Sequence, residues 1–99
     1  MKTRLISWMV CAALAACSGR SDEELLAAAA QRMQANDPGG ASIELKNLLQ
    51  RNPDNAQARQ LLGKALLDAG DLAGAEIELR RAQDLGASPS QVAPLLAQA

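Results

Sequence analysis

Residues 36–46, NDPGGASIELK, recur in altered form as residues 70–80, GDLAGAEIELR. At this offset of 34 residues, Lys46 and Arg80 conserve a positive charge. The identical pairs are Asp37/Asp71, Gly40/Gly74, Ala41/Ala75, Ile43/Ile77, Glu44/Glu78 and Leu45/Leu79. Self-similarity at a fixed period indicates a repeat architecture, in which each unit buries its apolar face against its neighbours.

The surrounding sequence predicts helices in pairs. Leucine and alanine dominate, charges are interspersed and nothing alternates with period two, so we expect an all-α protein without a sheet. Helix starts are predicted by capping boxes at residues 21–24 and 54–57, by Asp37-Pro38 and by Asp71. With stops at Asn52-Pro53, Gly70 and Gly86, these signals predict helices over about residues 22–35, 38–51, 56–69 and 72–85.

A period of 34 with two helices per unit is typical of the tetratricopeptide repeat (TPR) solenoid, and residues 56–89 resemble that family. Small residues allow helix axes to approach within ~8–9 Å, which explains Gly63 and Ala75. The family's packing positions correspond here to Leu62, Gly63, Leu66, Gly70, Ala75, Leu79 and Ala82, and to Ala41 and Leu45 in the preceding unit. Two residues depart from the family pattern. Arg59 replaces an aromatic residue, and the proline expected near Ala87 is found at Pro89.

Residues 22–55 fit the TPR pattern less well. Ala28-Ala29 replaces the Leu-Gly pair of the first helix, and Arg32 replaces the family's tyrosine. We interpret this unit as a degenerate capping repeat, because the terminal repeats of a solenoid are atypical.

The same offset predicts that residues 90–99 begin a third repeat that stops midway, with Ser90 as its helix cap. Pro94 is then tolerated near the first turn. A helix without its partner cannot bury its apolar face. We therefore expect the chain to be the front of a longer protein, with an apolar strip exposed at its end: Val92, Leu95 and Leu96. The alternative is a short solvating C-terminal helix.

The first residues have the pattern of a bacterial lipoprotein leader. Two positive charges precede an apolar run over residues 5–14, and Leu14-Ala15-Ala16-Cys17 resembles a lipobox. We predict a signal peptide over residues 1–16, lipidation of Cys17 through its thiolate, and a short tether over residues 17–21. The run is too short for a transmembrane helix, which needs ~20 apolar residues. The alternative is a soluble secreted protein with a chance cysteine in its signal.

Composition argues against several kinds of site. Of the ten basic residues, cleavage after residue 16 removes Lys2 and Arg4, which leaves eight against eleven acidic residues and disfavours a nucleic-acid partner. Cys11 leaves with the signal and Cys17 is blocked by lipid, so no disulfide is expected. The chain contains no histidine, the commonest general acid–base. We accordingly predict no catalytic residue, metal, cofactor or small-molecule substrate.

The remaining candidate is a surface for a protein partner. In TPR proteins the first helix of each pair lines a concave face. The resemblance implies Gln57, Gln60, Lys64, Leu67 and Asp68 in the second unit, and Glu23, Leu26, Ala30, Met33 and Gln34 in the first. This set holds neither a pair of basic clamps nor an aromatic anchor, so it identifies no ligand. The alternative is a solvated face, because two repeats offer little concave area.

The whole chain resembles the TPR-repeat lipoproteins of the exosortase/PEP-CTERM system of Gram-negative bacteria. The resemblance rests on the lipobox, the immediate start of the repeats, and the runs over residues 63–72 and 82–87. It implies a membrane-anchored scaffold for protein partners in exopolysaccharide or PEP-CTERM protein-sorting assembly. Ser18, where an aspartate would favour the inner membrane, indicates the periplasmic face of the outer membrane. The alternatives are an envelope-biogenesis lipoprotein that assists outer-membrane protein insertion or pilus assembly, and an enzyme whose catalytic domain follows Ala99.

Overall fold

The structure, a computed structural model, describes residues 19–99. Within this range the chain forms five helices and no strand: α1 (Asp22–Gln34), α2 (Pro38–Arg51), α3 (Ala56–Asp68), α4 (Leu72–Asp84) and α5 (Pro89–Leu96). The all-α prediction is confirmed, and α1 to α4 agree with their predicted bounds to within about one residue. The predicted signal peptide, Cys17 and Ser18 lie outside the described residues.

Side chains close the starts of the helices as the sequence signals indicate. The hydroxyl of Ser21 accepts a hydrogen bond from the backbone N–H of Glu24 at 3.1 Å, which begins α1. Asp37 and Asp71 each accept the N–H of the glycine three residues later at 3.0 Å, which begins α2 and α4. Each bond satisfies one of the backbone donors that a helix start leaves without a partner.

The predicted capping box at residues 54–57 is wrong by one position. Asn55, not Asp54, is the cap of α3, and its side-chain oxygen accepts the N–H of Ala58 at 2.9 Å. A turn causes the shift, because the N–H of Asn55 donates to the carbonyl of Asn52 at 3.3 Å. Pro53 and Asp54 therefore lie inside the turn, where both residue types are favoured.

The helices form two layers. The inner layer holds α1, α3 and α5, in which α1 contacts α3 and α3 contacts α5. The outer layer holds α2, packed on α1 and α3, and α4, packed on α3 and α5. Within residues 19–99, no Cα atom of α2 lies within 8 Å of α4. Because the inner helices touch and the outer ones diverge, the stack has a concave inner face and a convex outer face.

Two apolar cores hold the layers together. The N-terminal core lies between α1, α2 and α3 and buries Leu25, Ala29, Ala41, Leu45, Leu48, Leu49, Ala58, Leu62 and Ala65. The C-terminal core lies between α4 and α5 and buries Leu79, Ala82 and Val92. Leu66 of α3 packs against the first core and Leu67 against the second, so α3 joins the two units.

The crossing of α3 and α4 leaves no room for a side chain at Gly63. A Cβ atom there would lie 2.6 Å from both Cγ and Cδ2 of Leu79, and 3.5 Å from the carbonyl oxygen of Ala75. Ala75 and Leu79 are both fully buried. At the end of α3, Gly70 adopts φ +85°, a left-handed conformation that favours glycine and turns the chain toward α4.

The start of α5 differs from its prediction. Ser90 does not cap this helix: α5 begins at Pro89, and Ser88 occupies the cap position. The first helical position suits proline, because its backbone has no N–H to leave without a partner. The hydroxyl groups of Ser88 and Ser90 instead bond to each other at 2.8 Å. Pro94 consequently lies inside the helix rather than in its first turn.

The expected exposed strip on α5 is wrong in part. Val92 is fully buried in the C-terminal core, and Leu95 and Leu96 are half-buried against that core. The reason is that α5 lies across α4 and also reaches α3, so its apolar side faces helices already present. No helix within residues 19–99 is both long enough and apolar enough to cross a membrane.

Candidate protein-binding groove

An open groove with a volume of about 800 Å³ runs along the concave face, across α1, α3 and α5. A volume of this order is within the range of binding pockets, ~300–1,000 Å³. The groove is lined by Glu23, Leu26, Ala27, Ala30, Ala56, Gln57, Gln60, Leu61, Lys64, Ala87, Ser88, Gln91 and Leu95.

Residues spaced by the repeat period line the groove in parallel rows. One row is polar and one is apolar: Glu23, Gln57 and Gln91 form the first, and Ala27, Leu61 and Leu95 the second. The side-chain amide of Gln60 also donates to the amide oxygen of Gln91 at 3.5 Å, between α3 and α5. The stacking of the repeats thus places an amide-rich row beside an apolar row.

Lys64 and Glu23 supply the charges of the groove. Both side chains are exposed, and within residues 19–99 neither has an oppositely charged group within 4.0 Å. Amide side chains can both donate and accept hydrogen bonds, as the backbone of an extended peptide does. The arrangement is therefore suited to binding a polypeptide segment.

The described residues contain no cluster of three His, Cys, Asp or Glu able to hold a metal ion.

The structure brings together six of the residues that the TPR resemblance placed on the concave face: Glu23, Leu26, Ala30, Gln57, Gln60 and Lys64. Leu67 is not among the groove residues; it is half-buried and packs against the C-terminal core. Met33 likewise packs against the N-terminal core. Gln34 and Asp68 are exposed at the ends of their helices, outside the groove lining.

Sequence reasoning missed the contribution of α5 and of the small residues along the groove. Gln91 lies 34 residues after the predicted Gln57, so extending the repeat offset past residue 90 finds it. Leu95 lies 34 residues after Leu61, which was itself not predicted. The other residues missed are Leu61 and the small residues Ala27, Ala56, Ala87 and Ser88. Only the packing of the layers exposes these small side chains to the groove.

An ion pair between α3 and α4 accounts for Arg59, which replaces the aromatic residue that the TPR family has at this position. Its Nη1 lies 2.9 Å from Oε2 of Glu78, and both side chains are about 15% exposed. The Nε of Arg59 also donates to the carbonyl of Pro53 at 3.2 Å, and Arg81 approaches Glu78 at 3.6 Å. Arg59 thereby ties α3 to α4, where the family uses aromatic packing.

These features define a helical repeat solenoid that presents a concave surface. The tetratricopeptide repeat family model matches residues 32–99, more than half of the chain. The chain belongs to the TPR family, whose repeats are protein-interaction units. No significant match to the chain occurs among curated proteins or among solved structures.

Proposed function

We propose that this protein is a lipid-anchored TPR scaffold that binds a partner protein in its concave groove. The observation that carries the proposal is the groove itself, in which α1, α3 and α5 align repeated amide and apolar side chains. TPR units serve protein–protein interaction, which agrees with such a surface. The lipobox resemblance of residues 14–17 supports the anchor.

The anchor would hold the solenoid close to the membrane. Only residues 18–21 separate Cys17 from the start of α1. Two or three acyl chains, at ~0.8 kcal/mol per buried methylene, make membrane attachment effectively permanent, whereas one chain binds only marginally. Ser18 after the lipidated cysteine supports a location on the periplasmic face of the outer membrane of a Gram-negative bacterium.

The biological setting that we propose is exopolysaccharide or PEP-CTERM protein-sorting assembly. It is supported by the resemblance of the chain to the TPR lipoproteins of that system. The scaffold would hold a component of the assembly beside the membrane, with no reaction of its own.

Fractionation of cells tests the anchor. The wild-type protein should be acylated and remain with the membrane after a high-salt wash. Cys17→Ala should be neither acylated nor firmly bound, and Cys11→Ala should behave as wild type because residue 11 lies in the predicted signal peptide. A Cys17→Ala protein that is processed and retained like wild type would contradict lipid anchoring.

Photo-crosslinking in the native host tests the groove. A photoreactive amino acid at Gln57 should capture a discrete partner, whereas the same amino acid at Asn47, exposed on the outer helix α2, should not. Lys64→Glu should weaken capture at Gln57 because it reverses a charge in the groove. Equal capture from both positions would contradict the groove as the binding surface. A component of outer-membrane protein insertion or pilus assembly as the captured partner would favour the envelope-biogenesis alternative.

A further inference from the structure

The convex face repeats a pair of exposed apolar and basic residues. Ile43 in α2 and Ile77 in α4 occupy the same position in successive units, and they are 63% and 53% exposed. Lys46 and Arg80 follow three residues later and are also exposed. Residues three apart lie on the same side of a helix, one turn along. We call these four residues the convex stripe.

The packing of this chain does not account for the isoleucines of the stripe. A single exposed apolar residue is ordinary on a protein surface. Isoleucine is, however, a weaker helix former than alanine, leucine or lysine, and here it recurs at one position in both outer helices. Neither residue belongs to either apolar core. The repeat places both on the same convex side of the solenoid.

The stripe is positively charged at its α2 end. Within residues 19–99, Lys46 has no carboxylate within 4.0 Å. Glu44, the only carboxylate of α2, is turned away from solvent, since its side chain is 15% exposed. On α4, Arg80 pairs with the exposed Glu76 at 2.9 Å, so the positive excess is concentrated on α2.

The tether contacts α2, the helix that carries one end of the stripe. Nη1 of Arg20 lies 3.4 Å from Oε2 of Glu44, which is next to Ile43 in α2. Arg20 lies three positions after Cys17 in the sequence, a span of at most ~11 Å. A lipid on Cys17 would therefore bring a bilayer close to α2.

We propose that the convex stripe rests on the bilayer into which the anchor inserts. Ile43 and Ile77 enter the boundary between headgroups and acyl chains, and Lys46 and Arg80 extend to anionic headgroups. This inference rests on the lipid anchor of the proposed function. Its consequence is an oriented solenoid whose groove, on the opposite side, is open to a partner away from the membrane.

Site-specific fluorescence tests the orientation. The acylated, processed protein is reconstituted in vesicles of phosphatidylethanolamine and phosphatidylglycerol, with an environment-sensitive dye on Asn47→Cys or Gln57→Cys. Asn47 neighbours Lys46 on the convex side, and Gln57 lies in the groove. The Asn47 label should show blue-shifted emission, loss of quenching by aqueous iodide, and strong quenching by nitroxide lipids. The Gln57 label should remain accessible to iodide.

Paired variants identify the residues responsible. Ile43→Ser together with Ile77→Ser should return the Asn47 label to the aqueous signal, and the helical circular dichroism should be unchanged because both positions are exposed. Leu85→Ser is the matched control: Leu85 is 38% exposed but lies outside the stripe, and its replacement should leave the signal as it was.

The remaining outcomes separate this inference from the proposed function. A protein that is never acylated would overturn both. An acylated protein whose Asn47 and Gln57 labels respond alike would overturn the orientation and leave the scaffold function standing. An Asn47 label that is shielded from iodide but not quenched by nitroxide lipids would show a protein, such as a second copy, covering the stripe, and would also overturn the proposal.

Discussion

The two helix pairs, residues 22–55 and 56–89, build the same crossing from different residues. Leu45 and Leu79 are equivalent, and both are fully buried. The residues that face these leucines differ. In the first pair this residue is Ala29, which is fully buried. In the second pair it is Gly63, where a Cβ atom would collide with Leu79. The first pair therefore retains the packed helix crossing of the repeat, with room for a methyl group at that crossing.

The pairs also differ in which arginines form ion pairs with their largely buried glutamates. Glu44 and Glu78 are equivalent, and their side chains are 15% and 14% exposed. Glu78 is bound by Arg59 of the adjacent inner helix at 2.9 Å, whereas Glu44 is approached by Arg20 of the tether at 3.4 Å and by Arg32 of α1 at 3.9 Å. The repeat thus preserves the acceptor, while each unit takes its donor from a different place in the chain.

The largest expected effects come from truncating the equivalent leucines. Leu45→Ala and Leu79→Ala should each lower the free energy of unfolding by about 2–5 kcal/mol, since each leaves a cavity in a core. We expect Leu45→Ala to cost more, because the short helix α5, which packs beside Leu79, has fewer neighbours in the structure than α1 to α3 and can relax into the cavity.

Urea unfolding followed by circular dichroism measures both effects, since the only aromatic residue, Trp8, lies outside the repeats. Leu72→Ala serves as the control, because Leu72 is 49% exposed and its truncation should cost little. A larger loss for Leu79→Ala than for Leu45→Ala would mean that the second pair is the more rigid half.

Substitutions at the two helix crossings test the difference between the pairs directly. Gly63→Ala should destabilise the protein by about 1–3 kcal/mol through overpacking against Leu79, although alanine is the better helix former. Ala29→Gly should also destabilise, by about 1 kcal/mol, because glycine loses more backbone entropy. Combining Gly63→Ala with Leu79→Ala should cost less than the sum, since the new methyl group fills part of the cavity. A rise in melting temperature for Gly63→Ala would show that Leu79 moves aside freely.

The ion pairs should show a smaller effect that depends on burial. Glu78→Gln should cost about 1–2 kcal/mol, because it weakens a charged hydrogen bond that is largely shielded from water. Glu76→Gln, which removes the exposed pair with Arg80, should cost below about 0.5 kcal/mol and less still in high salt. Thermal denaturation at two salt concentrations checks this order, and equal losses would contradict a structural role for the Arg59–Glu78 pair.

The smallest effect concerns the turns inside the two pairs. Asn36 adopts φ +60° where Gly70, its equivalent, adopts φ +85°. Asn36→Gly should therefore stabilise the protein by up to about 1 kcal/mol by relieving the left-handed conformation, and Gly70→Asn should destabilise it by a similar amount. Chemical denaturation of both variants provides the test, and a loss of stability in Asn36→Gly would mean that its side chain contributes more than the turn costs.

Much of the fold was predictable because it depends on local chemistry. The caps at Ser21, Asp37 and Asp71, and the repeat offset, predicted α1 to α4 closely. The errors occurred where a turn or a distant helix competes with the local pattern. Asn55 replaces Asp54 as a cap because a turn encloses Asp54, and Ser88 rather than Ser90 occupies the cap position of α5.

The sequence alone determined that this protein is an all-α TPR solenoid with a period of 34 residues, because helix caps and apolar spacing act within a few residues of chain. Tertiary structure decided which surfaces these helices present. Leu67 was predicted on the concave face but packs against the C-terminal core and does not line the groove, while Gln91 and Leu95 complete the groove from α5. The physical reason is that a groove forms only where separate helices meet, so its lining depends on how α5 lies over α3 and α4.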